Sequence, residues 1–286
     1  MIVDCHVHIC PERVRNRRED FLQGEPEFSA IYSDPKARLI GASKLIETMD
    51  EQHVDRAVVF GFPWRREDHF RLNNDYVLEA AARFPDRLIP FACLFAGAPG
   101  ACDEARRCID LGARGIGELA FYDGGLDQTA RQALFPLASL AAEAGIPVLL
   151  HTNEPVGHSY PGKSPMTLDQ LYRLVAETPE TSWMLAHLGG GLPFFASMKK
   201  QVPEVLAGCW FDTAAMPFLY KPRTLRFLTD MLGPDKLLFG SDYPLLPPKR
   251  YFKELAQSGL TEEEQQALLG GNAAKLLKLS EPEPNM

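Results

Sequence analysis

The segment Met1-Ile2-Val3-Asp4-Cys5-His6-Val7-His8-Ile9 opens the chain and decides how the rest is read. It is an apolar run of strand character carrying His6 and His8. Side chains at i and i+2 of a strand share a face, so both imidazoles project together and make half of a metal site. Three later apolar runs each end in another ligand type: Val148-Leu149-Leu150-His151, Trp183-Met184-Leu185-Ala186-His187 and Leu237-Leu238-Phe239-Gly240-Ser241-Asp242. An H-x-H pair alone is a weak signal, but its repetition at successive strand ends makes a constellation.

These runs belong to a series. Eight short apolar stretches, at 2–9, 56–62, 88–95, 113–121, 147–152, 182–188, 209–213 and 236–243, read as strands buried on both faces. Helical patterns lie between and after them, at 42–52, 70–84, 100–111, 136–144, 167–178, 193–201, 221–232, 250–258 and 262–279. Pro136 suits a first helical turn, Gly145 a helix end, and Thr167/Gln170 and Thr261/Glu264 are capping boxes. Strand–helix alternation over one chain of this length predicts a single-domain (β/α)8 TIM barrel over residues 1–279, with a frayed tail at 280–286. A doubly wound sheet would not normally bring the ends of strands 1, 5, 6 and 8 to one point, whereas barrel closure does. Residues 10–40 form one long connection on the catalytic face, read as a lid, a dimer arm or a solvated insertion.

Composition bounds the function. The chain has 286 residues, 45% of them hydrophobic, enough for a large core. Its net charge of −8 (30 basic against 38 acidic residues) argues against nucleic acid or an anionic membrane as partner. No stretch is long enough to span a bilayer, and the N-terminus lacks the features of a signal peptide. Six scattered cysteines without a C-x-x-C suggest reduced thiols and a cytoplasmic protein. Cys5 has the opposite strand parity to the histidines and should face the helix layer. Asp4 shares their parity but lies deeper, as a structural hydrogen-bond acceptor.

In a (β/α)8 barrel the active site lies at the C-terminal ends of the strands. His8, His151, His187 and Asp242 all end their strands there, and His6 lies one inward step behind. Glu118, in Ala113-Arg114-Gly115-Ile116-Gly117-Glu118-Leu119, sits near a fourth-strand end within an apolar run. Such a carboxylate must be paired, hydrogen-bonded or metal-bound; a salt bridge to a barrel arginine competes with ligation. After strand 2, Arg65 and Arg66 could bind a substrate carboxylate bidentately. In the loop after strand 5, Asn153, His158, Tyr160 and Lys163 could contact substrate. His69 is expected to be solvated, and His53 to cap the helix at 42–52.

The order H-x-H, His, His, Asp, with His151-Thr152-Asn153-Glu154-Pro155, Ala186-His187-Leu188-Gly189-Gly190-Gly191, Gly240-Ser241-Asp242-Tyr243-Pro244 and Gly271-Asn272-Ala273-Ala274, resembles the amidohydrolase superfamily. It is closer still to the amidohydrolase-related branch that includes aminocarboxymuconate-semialdehyde decarboxylase. The resemblance runs nearly end to end. It implies that His6, His8, His151 and Asp242 ligate a zinc-like ion, and that His187 is a ligand of a second ion or a catalytic base. The fourth strand lacks the lysine of many two-metal members. Glu118 instead resembles the bridging glutamate of TatD-type nucleases, so one and two divalent ions both stay open. A homodimer is implied only by the resemblance and the long first loop.

Imidazoles and a carboxylate hold Zn²⁺ while leaving a place for water, whose pKa falls from ~15.7 towards ~7. Asp242 could act as general base and then acid, and His187 could stabilise an oxyanion. The expected activity is hydrolysis of a small-molecule amide, ester or lactone. The alternative is decarboxylation of an unsaturated or aromatic acid, with Arg65 or Arg66 as anchor and water or His187 as the proton source. A third reading is a barrel with a structural metal or a purely binding role.

Overall fold

The computed structural model describes residues 1–280; the expected tail lies, from 281 onward, outside the described residues. Eight strands form in chain order. They are β1 (Val3–His8), β2 (Arg56–Phe60), β3 (Leu88–Pro90), β4 (Ile116–Leu119), β5 (Val148–Leu150), β6 (Trp183–Leu185), β7 (Cys209–Asp212) and β8 (Leu237–Leu238). All paired neighbours are parallel, in the runs β1-β2-β3 and β4-β5-β6-β7-β8. Two seams join the runs into a ring. At one, the Ala92 amide donates to Gly115 (2.9 Å) and the Gly117 amide to Ala92 (2.8 Å). At the other, the Cys5 amide donates to Phe239 (2.7 Å), the His8 amide to Tyr243 (2.9 Å) and the Asp242 amide to His6 (2.9 Å). A sheet bonded at both edges is a barrel, and the doubly wound alternative falls.

Strand–helix alternation stands as expected, but several boundaries move. The helix expected to begin at Pro136 runs over Gln128–Ala144, with Pro136 inside it. Its start is Asp127, whose side chain accepts the Ala130 amide at 2.8 Å. The proline's lost bond is offset by burial of Leu134, Leu137, Ala138 and Ala141. Gly145 ends that helix and His53 ends Ala42–Gln52, both with left-handed backbone. Both capping boxes form. The stretch at 193–201 is a tighter 3-10 turn, Leu192–Ser197. The expected helix at 262–279 is broken into Glu262–Gln266, a wide turn over Ala267–Gly271 and Asn272–Leu276. The turn lets Gly270 approach the barrel floor so closely that a Cβ there would meet the Met1 carbonyl oxygen at 2.2 Å.

Cys5 is buried and free, in one cluster with Phe60, Phe91, Leu149 and Met184 and with Ala273 of the last helix. The register of β1 shifts between Asp4 and Val7, which breaks strict alternation. Asp4 accepts from the Ser241 hydroxyl and amide and from the His6 amide, as expected. His69 is buried, with Nδ1 2.9 Å from Glu25, so its expected solvation is corrected.

Residues 10–40 are not a solvated insertion. They fold into Glu12–Asn16, a 3-10 turn at Arg18–Phe21 and Pro26–Tyr32. Phe28 is buried against Trp64 and Phe62, with ring centroids 4.3 and 5.4 Å away. The buried Glu25 carboxylate accepts the Arg65 amide (2.7 Å) and the Arg66 amide (3.0 Å) besides His69. The segment is fastened to the barrel beside its mouth. Among the described residues no helix is long and apolar enough to cross a membrane.

The Gly-Asn-Ala-Ala segment has a role at the opposite end. The buried Asn272 amide group donates to the Pro234 and Leu237 carbonyls, both at 2.8 Å, tying the last helix to the start of β8. Asn272→Ala leaves both acceptors without this donor and should cost ~1–3 kcal/mol, read as a lowered midpoint in urea unfolding; an unchanged midpoint would refute this tie.

Candidate metal centre

The strand ends bring His6, His8, Glu118, His151, His187 and Asp242 together at the barrel mouth. Their donor atoms form overlapping groups, His6/His8/Glu118, His6/His187/Asp242 and Glu118/His151/His187, each within 4.8 Å. His6 Nε2 lies 3.6 Å from Glu118 and 3.9 Å from Asp242. His8 Nε2 lies 3.6 Å from Glu118 and 3.5 Å from Asp242. Glu118 is paired with imidazoles and not with a barrel arginine. It reaches the mouth because Gly117 precedes it with φ +132°, where a Cβ would meet the Leu149 carbonyl oxygen at 2.1 Å.

Each imidazole is oriented from outside. His8 Nδ1 bonds the Gly61 carbonyl (2.9 Å), His187 Nδ1 the Ala214 carbonyl (2.9 Å), and His151 Nε2 the Gly162 carbonyl (3.0 Å). A carbonyl only accepts, so these ring nitrogens carry protons and the opposite nitrogens turn lone pairs inward. His6 Nδ1 faces Asp212 at 2.9 Å, which leaves Nε2 buried with no hydrogen-bond partner. Four inward nitrogens around the Glu118 and Asp242 carboxylates suit a divalent cation. The orphaned His6 nitrogen is the atom such an ion would satisfy.

Burial and charge oppose each other at every group. Burial disfavours the Asp242 carboxylate, but the bond to His8 and the charges of His6 and His8 hold its pKa down at about 2. Burial likewise opposes ionisation of Glu118, yet His6 and His151 keep it well below the ordinary carboxylate range. Burial would lower the pKa of His6, but Asp212 and Glu118 raise it well above the usual value. His187 is raised as well, with Glu118 and Asp242 outweighing burial. Two buried carboxylates, Glu118 and Asp242, are thus held ionised among the imidazoles, where a cation would be favoured.

Above these residues opens a cavity of about 1020 Å³. His158 and Tyr160 line it, joined by Tyr122, Phe62 and, from the segment at 10–40, Tyr32 and Arg38. Other expected contacts fall elsewhere. Asn153 is buried and clasps Ser164 (2.8 and 3.1 Å), shaping the loop that carries His158 and Tyr160. Lys163 pairs with Glu154 at 2.8 Å. Arg65 and Arg66 do not line the cavity, which corrects their reading as substrate anchors. Arg65 is spent on Glu27 and Asp123, and Arg66 pairs with Asp68 at 2.7 Å.

The residue missed from sequence is Asp212, at the end of β7. Besides His6 it accepts the amides of His187 (3.0 Å) and Ala214 (2.9 Å). An acid ending an apolar run was the available signal. Removing it in Asp212→Ala frees the His6 ring and the His187 backbone, and losses of this kind weaken metal binding ~10–100-fold. Competition with a chromophoric chelator measures this; unchanged affinity would make Asp212 a folding residue only.

A family model described as Amidohydrolase matches residues 3–279. The 2-amino-3-carboxymuconate-6-semialdehyde decarboxylase of Dictyostelium discoideum is 25% identical, over 97% of this chain and 91% of its own. The 6-methylsalicylic acid decarboxylase of Penicillium expansum is 26% identical, over 69% of this chain and 72% of its own. A crystal structure of a dihydroxybenzoic acid decarboxylase from a Polaromonas species, with bound manganese and the inhibitor 2-nitroresorcinol, superposes with a TM-score of 0.73 at 18% identity, covering 99% of this chain and 98% of that one. These similarities overturn hydrolysis as the leading reading of the ligand set, since both of these relatives and this structure are decarboxylases. The closed parallel barrel, the ligand types at its strand ends and a match over almost its full length place this chain in the amidohydrolase family.

Proposed function

We propose that this chain is a divalent-metal-dependent decarboxylase of a small aromatic or otherwise unsaturated carboxylic acid. The observation that carries the reading is the set of inward imidazole lone pairs around Glu118 and Asp242, at the base of a cavity with aromatic walls, on a chain similar to decarboxylases over most of its length. His6, His8 and Asp242 would hold the ion, with Glu118 and His151 on its other side. When bound, a divalent cation supplies a Lewis acid for the substrate's oxygens. Imidazole and carboxylate ligands suit zinc, the ion expected from sequence, and manganese, the ion in the Polaromonas structure.

Decarboxylation replaces a carboxylate on carbon by a proton, with carbon dioxide leaving. The chain must therefore hold a proton beside the reacting carbon. His187 is placed for this: the Ala214 carbonyl fixes its tautomer, and Glu118 and Asp242 favour its charged form. Tyr122 and Phe62 offer faces against which an unsaturated ring can pack. Lys36 and Arg38 line the same cavity. Unlike Arg65 and Arg66, they form no ion pair among the described residues. Arg18 fixes their loop by donating to the carbonyls of Tyr32 (3.2 Å), Asp34 and Ala37 (both 2.8 Å). Arg38 is the guanidinium available to a substrate carboxylate.

Manganese- or zinc-loaded protein should release carbon dioxide from at least one member of a panel of hydroxybenzoates and aminocarboxymuconate-type acids. Asp242→Asn should lower kcat at least ~10³-fold while the thermal midpoint stays near that of the parent. No release from any panel member, with metal bound, would sink the reading. On the same substrate, Arg38→Ala should raise KM ~10–100-fold with kcat little changed, and Arg38→Lys should recover part of the loss. A kcat effect with unchanged KM would remove Arg38 from substrate binding.

A further inference from the structure

The cavity is larger than one ring requires. At about 1020 Å³ it stands at the top of the ~300–1,000 Å³ that encloses a drug-sized molecule. Its base is polar, and its walls divide by connection. Lys36 and Arg38 come from the connection after β1. From the connections after β7 and β8, every described lining residue except Asp242 is apolar, among them Phe218, Leu219, Leu245 and Pro247. Phe218 and Leu245 are 67% and 57% exposed, and Val156, from the connection after β5, is 79% exposed. Large apolar side chains left in water around a polar site mark a surface kept for contact. Here the contact is with whatever enters the cavity, because all three side chains line it.

The apolar wall is built on the turns of the site itself. The Leu245 amide donates to the Asp242 carbonyl (2.7 Å). The Phe218 amide donates to the Ala215 carbonyl (2.9 Å), one residue after the carbonyl that fixes His187. The Tyr220 phenol, just past the short helix Met216–Leu219, donates to the His187 carbonyl (3.2 Å). Phe218 and Leu245 therefore hold fixed places relative to His187 and Asp242. A ring whose carboxylate and oxygen substituents face a cation at the base turns its opposite edge towards the opening. On the β7–β8 side an apolar group on that edge leaves water for apolar contact.

We propose that the acid taken by this site carries an apolar substituent longer than a methyl group on the ring edge away from its carboxylate, and that Phe218, Leu219, Leu245 and Val156 form the subsite that holds it. The inference rests on the decarboxylase reading above and narrows its substrate class.

The test is calorimetric titration of the manganese-loaded full chain with 5-methyl-2-nitrophenol and with 5-pentyl-2-nitrophenol. In both, a nitro group stands for the carboxylate and cannot leave as carbon dioxide, so binding is read without turnover. Each buried methylene strengthens binding about 4-fold, so a partly covered chain should make the pentyl compound bind ~10–100-fold tighter than the methyl compound. Phe218→Ser combined with Leu245→Ser, both at exposed positions, should cut that ratio at least ~5-fold. Equal affinity of the two compounds in the parent overturns the subsite and leaves the decarboxylase reading, which the carbon dioxide panel tests independently. A ratio unchanged by the double substitution overturns the assignment to Phe218 and Leu245. A parent that sediments as a dimer, with the double variant a monomer, gives these side chains to a second copy of the chain and overturns the subsite as well. Binding of neither compound overturns the placement of a ring over the metal, and the subsite with it.

Discussion

Taking a carboxylate out of water costs several kcal/mol unless opposite charge or hydrogen bonds replace its solvation. Glu118 is 3% exposed, at the mouth of the barrel, and its partners are imidazoles. Every neighbouring feature follows from satisfying it. His6, His8, His151 and His187 point a nitrogen inward because their other nitrogens are held by Asp212 or by main-chain carbonyls. The site is a set of outward anchors that leaves an inward surplus of lone pairs. Such a surface selects for a cation whatever reaction follows.

The anchoring depends on barrel closure. Asp242 can face His8 because its own amide is bonded to the His6 carbonyl across the β8–β1 seam. Asp212 can hold His6 because β7 sits near β1 through β8, although 206 positions separate the two residues in the chain. The same closure places the mouth under the folded segment at 10–40, which is riveted by Glu25 and by the packing of Phe28 on Trp64. Scaffold, ligands and cavity roof are therefore one construction.

That interdependence explains what could be read in advance. Strand ends carrying His8, His151, His187 and Asp242 were legible because the signal is local: an apolar run closed by a ligand-type residue. Barrel closure followed from the need to bring those ends together. Asp212 escaped because an acid after Trp210-Phe211 acquires meaning only beside His6, from the far end of the chain. Arg65 looked free because its partner Glu27 lies 38 residues earlier, whereas Arg66 pairs with Asp68 two positions on, and the Glu25 carboxylate holds both amides. Pro136 misled because local propensity yielded to tertiary burial. Hydrolysis and decarboxylation call on one set of ligand types, so the residues alone could not separate them.

His187 and Asp242 both hold left-handed backbone, with φ of 55° and 60°, where side chains with a Cβ are disfavoured. Holding non-glycine residues there costs on the order of 1–3 kcal/mol each. Glycine at either place would relax the chain and empty the site. A lineage of this barrel drifting under selection for stability alone would shed these two side chains early. These two ligand-type side chains are thus kept at a cost in main-chain conformation.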